Sequence, residues 1–77
     1  MRLDPDLLRW LREDRGLSVN KLAKLADLPV DLIIAIEEGR HRGSPGSARK
    51  LASGLSCAGH GEPVQADELW LREDLPR

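Results

Sequence analysis

Three clusters of cationic side chains mark the chain: Lys21 and Lys24, Arg40-His41-Arg42, and Arg49-Lys50. The first pair is three residues apart, so a helix would place both on one face. The chemistry open to such groups is charge-assisted contact with an anion, to which His41 adds charge when protonated. Lys21 and Lys24 equally fit a solvated helix face, and Arg40–Arg42 an ordinary polar loop. Between the clusters the pattern inverts. Residues 30–38 read VDLIIAIEE, with three carboxylates and no Lys, Arg, Asn, Gln or Ser. That stretch offers acceptors and apolar surface but no side-chain donor.

Catalytic and metal chemistry have little to work with. Cys57 and His60 have a C-x-x-H spacing, yet two ligands do not make a zinc site and the other histidine is His41. No nucleophile, base and orienting group form a set, and Gly54, Gly59 and Gly61 lack a phosphate-loop pattern. No enzyme activity, cofactor or metal is expected.

Composition narrows the class further. Seventy-seven residues make one domain, spanning 1–77, near the lower size for a self-sufficient core. Hydrophobic residues are 40 % of the chain, mostly Leu, Ala, Ile and Val with no Tyr or Phe, which suits helices packing on helices. One cysteine cannot close an intramolecular disulfide. Asp4 and Asp6 interrupt any signal-peptide core, and the apolar runs are too short to span a bilayer. The expectation is a soluble cytoplasmic protein with no membrane partner. Net charge is −1, but residues 15–60 carry +3 and the two ends together −4. That asymmetry permits contact with nucleic acid without demanding it.

The elements that must carry these groups read as about five short helices, an all-α compact bundle. Asp4-Pro5 caps and opens the first, with Leu7, Leu8 and Leu11 inward, Arg9, Arg12, Glu13 and Asp14 solvated, and Gly16 the stop. Ser18 caps a second helix to about Ala26, with Leu22, Ala23 and Ala26 inward. Asp27-Leu28-Pro29 is a tight turn. The third helix runs from Pro29 or Val30 to Gly39. Ser44-Pro45 opens a fourth, with Ala48, Leu51, Ala52 and Leu55 at helical intervals. The helical core thus covers 5–55. A Gly-rich connection over 56–63 leads to a last helix over 64–75 containing Leu69, Trp70 and Leu71. Trp10 and Trp70 read as packing residues.

The succession LRWLREDRGLS, KLAKLADL, IAIEEG, KLASGL and DELWL resembles the Cro-type, lambda-repressor-like helix-turn-helix family, also called Xre. Leu22-Ala23 matches its Leu-Ala pair, Ile33 and Ile36 its buried aliphatics, and Glu37 with Gly39 its Glu-x-Gly helix end. The resemblance implies a helix-turn-helix fold, a DNA-binding transcriptional regulator and a homodimer formed through the last helix and Trp70. The chain departs from the family where the family meets DNA. The usual Gln after the second-helix cap is Val19, the usual turn glycine is Asp27, and the usual Ser or Thr cap of the recognition helix is Pro29.

On a wheel of about 100° per residue, Leu32, Ile33 and Ile36 share one face of the third helix. Val30, Ile34 and Ala35 fall opposite, among Asp31 and Glu38. Two uses of that outward face follow. Against double-stranded DNA, Lys21, Lys24, Arg40, Arg42, Arg49 and Lys50 would straddle phosphates and Asn20 would reach a phosphate or base edge. Val30 and Ile34 would then meet thymine methyls, and Asp31 a cytosine amino group. Asp31 also fits a plainer role, capping the third helix. Against a protein partner, Val30, Ile34, Ala35 and Glu38 would form an apolar patch rimmed by acid.

Overall fold

The structure, a computed structural model, describes residues 2–58 and 62–71. Four α-helices follow in order, α1 (Pro5–Asp14), α2 (Val19–Ala26), α3 (Val30–Glu37) and α4 (Pro45–Ser56), then one 3-10 turn over Ala66–Leu69. Most helices start where the chain supplies an acceptor. Asp4 Oδ1 accepts from the N–H groups of Asp6 and Leu7 at 3.1 and 3.2 Å, Ser18 Oγ from Lys21 at 3.0 Å, and Ser44 Oγ from Ser47 at 3.1 Å. Pro5 and Pro45 open α1 and α4, where a missing N–H costs nothing. Helix α3 differs, because Pro29 precedes it and no side chain caps it. Asp31 therefore contributes charge to the first turn of α3 and not a capping hydrogen bond.

Helices α1, α2 and α3 close in the same way. Each is followed by a residue in the left-handed region: Gly16 (φ 67°), Asp27 (φ 55°) and Gly39 (φ 80°). The next N–H then reaches back into the helix, Leu17 to Arg12 at 3.0 Å, Leu28 to Ala23 at 3.0 Å and Arg40 to Ala35 at 2.8 Å. This pattern satisfies carbonyls that a helix end would otherwise leave open. Only at Asp27 does a Cβ sit where glycine is easiest.

The core gathers one stripe from each helix: Leu8, then Leu22, Ala23 and Ala26, then Ile33 and Ile36, then Ala48, Leu51, Ala52 and Leu55. Leu3, Val64 and Leu69 complete it. Each large aliphatic side chain withdrawn this fully from water stabilises the fold by about 1.5–3 kcal/mol. Helix α4 lies close on the end of α2, where a Cβ added to Gly54 would stand 3.0 Å from the Ala26 backbone nitrogen. That approach fixes the turn between α2 and α3 against the scaffold.

The chain ends its described course differently from a helix over 64–75. Helical geometry covers Ala66–Leu69 alone, as a 3-10 turn in which Gln65 and Glu68 cap each other. Trp70 is extended and forms an isolated antiparallel bridge with Leu3. The Asp4 N–H donates to Leu69 O and the Leu71 N–H to Arg2 O, both at 2.8 Å. Residues 2–4 thus take the hydrogen bonds that further helical turns would have used, and tertiary pairing overrides the local pattern. Residues 72–77 lie outside the described residues, as do 59–61 of the connection; beyond those, Val64 N–H donates to Ser56 Oγ at 2.9 Å.

Two other expectations are revised. Trp10 is 60 % exposed and does not pack inward, because it lies two positions from Leu8 and so on another side of α1. Arg12 is not solvated, since its guanidinium turns under the domain toward α3. Among the described residues, no helix is long and apolar enough to cross a membrane.

Candidate nucleic-acid interface

Helices α2 and α3 with the Asp27–Pro29 turn form a two-helix unit, and the residues singled out by sequence lie on or beside it. Asn20, Lys21 and Lys24 are exposed on α2. Asn20 and Lys24 line an open groove of about 710 Å³ with Ala23, Asp27, Leu28, Pro29 and Val30. The groove is a surface feature between helix ends and suits a macromolecule better than an enclosed small ligand.

On α3 the six apolar positions separate. Ile33 and Ile36 are fully buried, and Leu32 is half-buried against the core. Val30, expected to face outward, is half-buried, packs against the core and turns its remaining surface to the groove. Ile34 and Ala35 are half-buried and lie off the core. Asp31 and Glu38 beside them are exposed.

Electrostatics at the C-terminal end of α3 are largely internal. Glu37 is buried, and its carboxylate receives Arg12 Nε and Nη2 at 2.8 and 3.0 Å. Donating these hydrogen bonds to Glu37 raises the affinity of Arg12 for its proton, against the opposing effect of burial. Arg12 Nη1 also donates to Leu17 O at 2.9 Å, tying the α1–α2 turn to the same pair. Arg9 Nη2 donates to Glu37 O at 2.8 Å and Arg2 Nη2 to Gly39 O at 3.1 Å. Three arginines thereby stand at the negative end of the α3 dipole and anchor its direction. Sequence reasoning placed Glu37 at a helix end but missed these partners, whose one local sign is that Arg9 and Arg12 share a face of α1.

The remaining cations divide into engaged and open groups. Arg40 Nη2 lies 2.7 Å and Nε 2.8 Å from Glu38 Oε1, so that pair is neutral. Lys50 Nζ approaches Asp27, 3.4 Å from its carbonyl and 3.9 Å from its carboxylate. Lys21, Lys24, Arg42 and Arg49 are exposed and make no ion pair among the described residues. Arg42 is held by its backbone, whose carbonyl receives the Leu3 N–H at 2.8 Å. His41 Nδ1 accepts from Gly43 N–H at 2.9 Å and shapes the same loop. A Cβ on Gly43 (φ 81°) would stand 2.8 Å from Leu3 Cγ, so the loop passes tightly over the buried Leu3. Cys57 is exposed, and His60 lies outside the described residues.

No curated protein and no solved structure matches the chain. A family model described as a helix-turn-helix domain matches residues 6–63, which take in α1 to α4 and the start of the segment beyond. With the all-α architecture and the α2–turn–α3 unit in place, the chain belongs to the helix-turn-helix domain family.

Proposed function

We propose that the protein is a DNA-binding transcriptional regulator of the Xre type, non-enzymatic and acting on double-stranded DNA in the cytoplasm. The observation that carries the reading is the set of open cations around a helix-turn-helix unit. Lys21 and Lys24 lie on α2, Arg42 in the loop after α3, and Arg49 on the first turns of α4. Phosphate contacts from these groups would set the protein on the duplex and present α3 to the major groove. A homodimer belongs to the same proposal. Trp70 is engaged with Leu3, which leaves Trp10 as the large exposed apolar side chain for such a contact.

Titration of labelled duplex DNA at several salt concentrations tests the reading. Binding that weakens steeply with salt, and whose slope falls by about 1 on Lys21→Ala, supports it. Salt-independent binding, or none, refutes it.

A second reading has its own support. Ile34 and Ala35 lie off the core between the exposed carboxylates of Asp31 and Glu38, and α3 carries no side-chain donor. That surface suits a protein partner that buries Val30, Ile34, Ala35 and Glu38 together. Loss of a protein complex on Ile34→Asp, with DNA indifferent to Lys21→Ala, would favour it.

A further inference from the structure

We infer that α3 reads DNA through the 5-methyl group of thymine, with Ile34 as the specificity-determining side chain; the inference rests on the DNA-binding reading above. It follows from what α3 can and cannot offer a base edge. Guanine presents two acceptors in the major groove and adenine an acceptor beside a donor, so their strongest recognition uses Arg, Lys, Asn or Gln. Helix α3 has none of these from Val30 to Glu38. Arg40, the first arginine after α3 in sequence, already directs Nε and Nη2 at Glu38 Oε1, and Arg12 is held by Glu37. Asp31 is an acceptor, matched only to exocyclic amino groups.

The apolar residues complete the elimination. Ile33 and Ile36 are fully buried, while Val30 and Leu32 pack against the core. Ile34 and Ala35 both keep surface that their own domain does not cover. Of the two, Ile34, one helical turn beyond Val30, carries the larger side chain and reaches further from the helix. In the major groove the one apolar feature that distinguishes a base is the thymine methyl. Ile34 therefore gains contact at thymine and loses it at any base lacking that methyl, while the cations outside α3 hold the backbone whatever the sequence.

The experiment removes the methyl from the DNA, so protein folding does not enter. Random duplexes are selected on the full chain, and the tightest is remade with deoxyuridine in place of each thymine in turn. One or two positions are expected to bind about fourfold more weakly, the effect of exposing a single methyl-sized group. Ile34→Ala should bind thymine and deoxyuridine duplexes alike at those positions while keeping the salt slope. The inference is overturned by a selected duplex without thymine, by tolerance of deoxyuridine at every position, or by an Ile34→Ala protein that still distinguishes the two. Any of these, with salt-dependent binding intact, leaves the DNA-binding reading standing. Absence of salt-dependent binding to every duplex defeats both.

Discussion

Arg12 and Glu37 meet as a two-pronged ion pair across 25 residues of sequence, Nε to Oε2 at 2.8 Å and Nη2 to Oε1 at 3.0 Å. The pair joins α1 to the last turn of α3, and both side chains are largely withdrawn from water. Removing Glu37 leaves the Arg12 charge buried without its partner, whereas Glu37 also has Arg9 Nε 3.7 Å from its carboxylate. Glu37→Ala should cost about 3 kcal/mol, whereas Arg12→Met with Glu37→Leu should cost less than Glu37→Ala alone. Urea denaturation of the single and double variants checks this, and simple additivity would show that the two side chains act independently.

Asp27 is the one non-glycine among the left-handed helix ends, and its carboxylate opposes the dipole of α2. Asp27→Gly should raise stability by about 0.5–1 kcal/mol, the balance of relieved backbone strain against greater freedom of the unfolded chain. It also releases Lys50 from a nearby negative charge. Duplex affinity should rise with stability, readable by denaturation and by titration of the same variant.

Gly43 has the opposite sensitivity. A side chain there meets both a positive φ and the buried Leu3. Gly43→Ala should destabilise by about 1–3 kcal/mol and weaken DNA binding beyond the loss in folded fraction, because the loop bearing Arg42 must shift. Binding measured well below the unfolding temperature separates the two effects.

The tryptophans should behave unequally. At concentrations low enough to keep the protein monomeric, Trp10→Ala should change stability by no more than about 0.5 kcal/mol, as expected at an exposed position. Trp70→Ala, which removes a half-buried side chain packed on the core, should cost about 2 kcal/mol or more. Fluorescence adds a check, since Trp10→Phe should delete the component emitting at longer wavelength, that of the wetter indole.

Much of the scaffold was legible from spacing. The buried stripes of α2, α3 and α4 repeat every three or four residues, and Asp4-Pro5, Ser18 and Ser44-Pro45 mark starts that the structure uses. Those signals are local, so a linear reading captures them. The Arg12–Glu37 pair was not legible, because both residues look like surface charges until two distant helices are brought together. Trp70 misled for a related reason: ADELWL has helical spacing, but its last residues pair with residues 2–4. At the candidate interface, the cations on α2 were legible as a face. That Arg40 is spent on Glu38 while Arg42 is not depends on side-chain conformations that spacing does not encode.

Residues 2–4 form a seam, bonded to Arg42 on one side and to Leu69 and Leu71 on the other. Peeling that seam away would free the Arg42 carbonyl, expose Leu3 and unpair both flanking segments in a single opening event. The amide hydrogens of Leu3, Asp4 and Leu71 should therefore exchange with solvent at a common rate, slower than the fraying of an ordinary terminus. How firmly the loop bearing Arg42 is held is thus decided by backbone at the far margins of the described chain.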